Sequence, residues 1–165
     1  MKTLLLLRHA KSGSKDTGLS DFDRPLNGRG RKGAEMIGRF IRKRSVAPDL
    51  LLSSPAIRAR ETIEAVIKAA KLTTELRYDQ RIYEAGPLRL LEVVSQIEEE
   101  RGTVLLVGHN PGIEELLQLL TDRQEQMATG TLAKIDLKAD KWSKVLEQKG
   151  TLDWIVKPRE IAEDQ

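Results

Sequence analysis

The chain has 165 residues, 39% of them hydrophobic, which is enough for one compact domain with a buried core and too short for two. Its 28 basic residues are intermixed with 25 acidic ones, so the net charge of +3 argues against a dedicated nucleic-acid binder, and the scattered aromatics form no stacking platform for bases. With no cysteine, disulfides, thiolate metal sites and thiol nucleophiles are excluded together.

Taken in chain order, MKTLLLLRHA places Lys2 ahead of four leucines. The run is too short for the apolar core of a signal peptide and meets Arg8 and His9 with no small-residue cleavage site. No stretch approaches the roughly 18 apolar residues of a membrane span. A cytoplasmic protein with no membrane partner is the expectation. Thr3 to Leu7, Leu50 to Leu52 and Val104 to Val107 lack polar alternation and read as strands buried on both faces. Helical spacing runs from Asn27 through Ala34, Ile37, Phe40 and Ile41, and from Ser54 through Ile57, Ile63, Val66, Ile67 and Ala70. It returns at Leu88, Leu91, Val94 and Ile97, and at Ile113, Leu116, Leu117 and Leu120. Pro55, Pro87 and Pro111 stand where helices could start. Thr131 to Leu137, Trp142 to Gln148 and Leu152 to Val156 suggest antiparallel strands at a sheet edge, and residues 159–165 a loose polar tail. The pattern predicts an α/β three-layer sandwich, one domain over 1–165, with a mainly parallel sheet between helices and an antiparallel C-terminal edge.

The residues just past each buried strand carry the chemistry. After Leu7 comes Arg8-His9, after Leu52 comes Ser53-Ser54-Pro55 leading to Arg58, and after Val107 comes Gly108-His109-Asn110-Pro111. In parallel sheets such turns lie at the carboxyl ends of the strands, where ligands bind. The only two histidines of the chain fall in these turns. Guanidinium forks and helix N-termini suit a phosphate, and one neutral imidazole could attack phosphorus while a second, protonated imidazole and the arginines neutralise the oxygens. Two histidines without metal-ligand spacing around them predict no metal and no other cofactor.

Arg8-His9-Ala10-Lys11-Ser12, Ser53-Ser54-Pro55 through Arg58 and Thr62, and Gly108-His109-Asn110-Pro111 resemble the histidine phosphatase superfamily. Arg24-Pro25-Leu26, with Gly30 and Ala34, matches its small bacterial SixA-type phosphohistidine phosphatases, so the resemblance covers most of the chain. It implies a phosphoglycerate mutase-like fold and His9 as a nucleophile that becomes phosphorylated, with Arg8, Arg58 and His109 as the phosphate pocket. Ser12 and Asn110 are expected to add phosphate contacts. Larger relatives protonate an alcohol leaving group with a carboxylic acid; Glu84 aligns with that role, and Asp21 and Asp23 are rivals for it. The implied substrate is a histidine-phosphorylated protein or, as the alternative, a small phosphate ester. A non-catalytic phosphoprotein-binding domain is the third reading. No sequence patch identifies an oligomer interface.

Overall fold

The leucines after Lys2 form one of the two central strands of a six-stranded mixed sheet. In the computed structural model, which describes residues 1–14 and 18–163, β1 (Lys2–Arg8) runs parallel to β4 (Thr103–Gly108) on one side and antiparallel to β5 (Leu132–Leu137) on the other. Beyond β4 lie β2 (Leu50–Ser53) and β3 (Leu76–Tyr78), both parallel; beyond β5 lies β6 (Thr151–Val156), antiparallel. The sheet order is β3-β2-β4-β1-β5-β6.

The unbroken apolar run of β1 results from burial on both faces. Leu4 and Leu6 pack with Leu90, Val94, Ile113 and Leu117 from α3 (Pro87–Ser95) and α4 (Gly112–Thr121). Leu5 and Leu7 face Ile37, Ile41, Ile63 and Val66 from α1 (Gly28–Lys43) and α2 (Ile57–Ala70). All four leucines are fully buried, and each such side chain stabilises the fold by roughly 1.5–3 kcal/mol. The expected sandwich with a mainly parallel sheet is therefore present.

Two expectations are corrected, and one strand is added. Trp142 to Gln148 is no strand: Trp142–Lys144 is a single 3-10 turn, because the Trp142 indole is fully buried against the α3–α4 side and donates from Nε1 to the Arg101 carbonyl at 2.6 Å. The tail is ordered further than expected. Pro158–Glu163 forms a short helix, α5, whose Ile161 joins the core beneath α1 and α2; residues 164–165 lie outside the described part. Strand β3 escapes sequence reading because its three residues are only half-buried at the sheet edge.

Helix starts vary in their use of proline. Pro87 is the first residue of α3, whereas Pro111 caps α4 and Pro55 precedes α2 by two positions. Asn27 caps α1, its Oδ1 accepting from Gly30 N at 2.8 Å. A side chain at Gly30 would put its Cβ 2.0 Å from the Lys11 carbonyl oxygen, so α1 reaches the loop after His9 only because that residue is glycine.

Candidate active site

The three turns meet. Arg8 and Gly108 are paired across β1 and β4, and Ser53 and Val107 across β2 and β4, so the residues after each strand end open into one cleft of about 530 Å³. Arg8, His9, Asp21, Arg24, Arg58 and His109 are among its walls. The turn after β1 is fixed by neighbours: His9 N donates to the Gly108 carbonyl at 3.0 Å, and Ala10 N donates to Thr62 Oγ1 at 2.9 Å. Thr62 Oγ1 in turn donates to the Arg58 carbonyl at 2.7 Å. Buried Thr62 thus ties the catalytic turn to the first turn of α2.

The tautomer of His9 is set by its partners. Nδ1 lies 2.7 Å from the Ala10 carbonyl oxygen, which can only accept, so Nδ1 carries the proton. Nε2 is left with its lone pair and accepts from Arg58 Nε at 3.3 Å. Burial lowers the His9 pKa to about 4; the Ala10 carbonyl opposes the shift, and Arg58, Arg8 and Arg24 reinforce it. The imidazole is therefore neutral at pH 7, with an unprotonated nitrogen available for attack.

His109 stands with its ring centroid 5.1 Å from that of His9. Its Nε2 is 2.7 Å from Ser54 Oγ, and its buried Nδ1 has no hydrogen-bond partner among the described residues. Burial, then His9 and Arg58, push its pKa down to about 3. His109 is thus neutral in the anion-free pocket, chiefly because it is buried, with His9 and the two arginines reinforcing the shift, where the sequence reading allowed a protonated imidazole.

Arg58 is buried at 6% exposure and uses every nitrogen. Besides Nε on His9, Nη1 donates to the Asp21 carbonyl at 2.7 Å and Nη2 to Asp21 Oδ2 at 3.1 Å. Asp21 also accepts from Arg24 Nη2 at 2.7 Å and from the Tyr83 hydroxyl at 2.7 Å. The hydrogen bonds from Arg24 and then Tyr83, with the nearby Arg58 charge, hold its carboxyl well below the usual carboxylate range. Arg8 is held more lightly: Nη1 donates to the Met127 carbonyl at 3.1 Å, and buried Nε has no partner among the described residues.

The remaining expected residues divide. Ser12 lines the cleft, but its Oγ already accepts from Arg24 Nη1 at 2.6 Å. Asn110 also lines it, yet both amide protons are spent, on Glu114 Oε1 at 2.8 Å and the Met127 carbonyl at 2.9 Å. Two acceptors fix the amide orientation, so Asn110 presents no free side-chain N–H to the cleft. Asn110 instead builds the 127–130 loop that holds Arg8. Glu84 is exposed, in left-handed backbone at φ 54, and is not among the cleft-lining residues. Its neighbour Tyr83 turns inward in its place. Asp23 is exposed and accepts from Ser20 Oγ. Sequence reading missed Tyr83, Glu114 and the Met127 loop as parts of the site; only Glu114, four positions after Asn110 on a helix start, had a spacing that could have suggested it.

A neutral imidazole between two guanidinium groups, at the carboxyl ends of parallel strands, is the arrangement of a phosphoryl-transfer enzyme. Residues 4–88 match the histidine phosphatase superfamily (branch 1), and the chain belongs to that family, as a SixA-type member and a phosphatase. An uncharacterised protein of Mycobacterium tuberculosis (strain ATCC 25618 / H37Rv) is 36% identical over 114 residues, 69% of each chain. A provisionally assigned phosphohistidine phosphatase SixA from Agrobacterium tumefaciens superposes with a TM-score of 0.83 at 30% identity, covering 95% of this chain and 98% of that one. A similarly assigned SixA from Nakamurella multipartitia gives 0.85 at 28%, covering 95% and 96%. No helix among the described residues is long and apolar enough to cross a membrane.

Proposed function

We propose that the protein removes the phosphoryl group from phosphohistidine on a protein by way of a phosphorylated His9. In the first step the His9 Nε2 lone pair attacks phosphorus, a P–N bond forms to His9, and the P–N bond to the substrate imidazole breaks with its electrons on the leaving nitrogen. Arg8, Arg58 and His109 hold the phosphoryl oxygens. Water then attacks the phosphorylated His9, releasing inorganic phosphate and restoring the neutral imidazole.

The observation that carries the substrate assignment is the state of Asp21. This cleft-lining carboxylate is held ionised by Arg24, Tyr83 and Arg58, so it is no proton donor for an alkoxide. An imidazole, with a conjugate-acid pKa of about 6.5, leaves without such help. The similarity to the two SixA proteins supports the same reading.

The test is to incubate purified protein, in chelator, with a histidine-phosphorylated protein, an aryl phosphate and an alkyl phosphate, with His9→Ala beside it. The expected outcome is phosphate release from the first, weaker release from the second, little from the third, and loss of all three in His9→Ala by on the order of 10⁴-fold. Turnover of the alkyl phosphate above that of the phosphoprotein would move the substrate to small esters. A protein that binds the phosphoprotein without releasing phosphate would be a recognition domain.

A further inference from the structure

Asp21 is placed for more than holding arginines. Arg58 presents Nε to His9 Nε2, and Nη1 and Nη2 to the Asp21 carbonyl and Oδ2, so one planar cation bridges the nucleophile and the carboxylate. Asp21 lines the same cleft as His9, Arg8 and His109, so a leaving group expelled from a phosphoryl group seated there departs through a space walled in part by this carboxylate. The Asp21 carboxylate is half-open to solvent, with 45% of its side chain exposed. Oδ2 accepts two hydrogen bonds, from Arg58 and Tyr83, while Oδ1 accepts one, from Arg24. A carboxylate oxygen has room for two, so Oδ1 retains an acceptor position at the rim of the cleft.

A negative charge at the mouth of a phosphate pocket repels a leaving group that departs as an anion and gives no charge-assisted contact to a neutral one. It favours a leaving group that carries a proton. Phosphohistidine has one: with one ring nitrogen bonded to phosphorus, the other binds a proton and makes the ring cationic.

Resting on the phosphohistidine reading above, we infer that Asp21 Oδ1 accepts a hydrogen bond from the distal ring N–H of the substrate's phosphorylated imidazole, and so selects N-phosphoryl over O-phosphoryl substrates. Asp21 takes up no proton in the step. The P–N bond breaks, its electron pair neutralises the imidazolium, and the ring departs as neutral imidazole with its distal proton in place. Arg24, Arg58 and Tyr83 keep Asp21 an acceptor, and His109 is the other titratable group that senses its charge. The same residue that fails as a general acid for alcohols then serves as an anchor for a cationic leaving group.

The test compares Asp21→Asn and Asp21→Glu with the wild type on a histidine-phosphorylated protein and on p-nitrophenyl phosphate, whose leaving group has no N–H. If Asp21 only positions Arg58, Asn lowers kcat/KM for both substrates by the same factor. The expected result is unequal: about 10- to 100-fold further loss on the phosphohistidine substrate, the range for one charge-assisted hydrogen bond, with partial recovery in Asp21→Glu. The pH profile gives a second reading. In the wild type, Asp21 stabilises the substrate imidazolium and extends phosphohistidine turnover to higher pH, so in Asp21→Asn the alkaline limb shifts downward while the p-nitrophenyl phosphate profile does not. Equal losses on the two substrates, with an unmoved alkaline limb, would overturn the inference and leave the phosphohistidine reading standing. Failure of the wild type itself on the phosphoprotein would instead remove that reading.

Discussion

Two guanidinium groups flank His9, and they are held in opposite ways. Arg58 rises from α2 with all three nitrogens bonded, to a carboxylate, a carbonyl and the imidazole itself, and keeps two further N–H groups to offer. Arg8, at the end of β1, has one carbonyl partner and a buried Nε with none among the described residues, and burial lowers its pKa despite the nearby Glu114. An unsatisfied buried donor destabilises the anion-free state by about 1–3 kcal/mol, and an arriving phosphate oxygen removes that penalty. Under the proposed function the contrast means divided labour: Arg58 is oriented in the anion-free pocket, and Arg8 would gain its missing partner from the phosphoryl group.

The largest effect that could break this comparison is on turnover. Arg8→Ala and Arg58→Ala should each lower kcat/KM by about 10²- to 10³-fold, the cost of one lost oxyanion donor; a loss confined to one of them in steady-state assays would mean that only one touches the phosphoryl group. Next comes acid stability. Both histidines have folded-state pKa values depressed below the usual 6.5, to about 4 and about 3. Above pH 6.5 they are neutral folded and unfolded, so their burial costs nothing in protonation. As pH falls below 6.5 the unfolded chain takes up protons that the folded one refuses, and stability should drop by up to about 2.7 kcal/mol per pH unit for the two together. Urea midpoints between pH 7 and 4.5 measure this. His109→Gln should roughly halve the slope, and saturating inorganic phosphate should flatten it.

Smaller effects sharpen the contrast between the arginines. Arg8→Met should leave stability unchanged or raise it by about 1 kcal/mol, because it deletes an orphaned donor and leaves the Met127 carbonyl bonded to Asn110. Arg58→Met should lower stability by about 1 kcal/mol, a figure discounted because its partner Asp21 is half-exposed. Denaturant titrations that gave both variants the same sign would refute the division. Smallest of all, Glu114→Gln weakens the acceptor that holds Asn110 and Met127 N. A few-fold rise in KM with kcat nearly unchanged is expected, since Arg8 would be aimed less well but not lost.

Much of this was legible in the sequence, for reasons tied to particular residues. The leucines of β1, the valines of β4 and the turns after them could be read because a strand buried on both faces tolerates no polar alternation. Arg8, His9, Arg58 and His109 could be read because each stands a fixed step beyond such a strand. The Met127 loop could not: it contributes a backbone carbonyl, which every residue has. Glu84 reads as the acid from its motif position, but its backbone is left-handed and its side chain exposed, whereas the adjacent Tyr83 packs its ring against His109 and donates to Asp21; nothing in the sequence marks that turn. Asn110 reads as a phosphate contact from its position after β4; the hydrogen bonds of its amide to Glu114 and Met127 depend on a loop further along the chain and could not be read from that position. The 3-10 turn at Trp142 resembled a strand because Trp142, Val145 and Leu146 are too few and too close to distinguish a short apolar run from a turn.

The bond between Arg8 Nη1 and the Met127 carbonyl, and those from Gly130 N to the Arg8 and His9 carbonyls at 3.1 and 3.0 Å, have a consequence for how the protein is made. Met127 lies 119 residues beyond Arg8, and Leu4 finds its β4 partner only at Val104. At about 5–20 residues per second on the ribosome, the leucine strand waits on the order of 5–20 s for its strand neighbours, with both edges unpaired and the Leu4–Leu6 face still lacking α3 and α4. Aggregation during synthesis should therefore depend on how fast the chain between α1 and β4 is translated, and on what shields Leu4 to Leu7 meanwhile. The catalytic turn leaves the ribosome on the order of a hundred residues ahead of the segments that complete it.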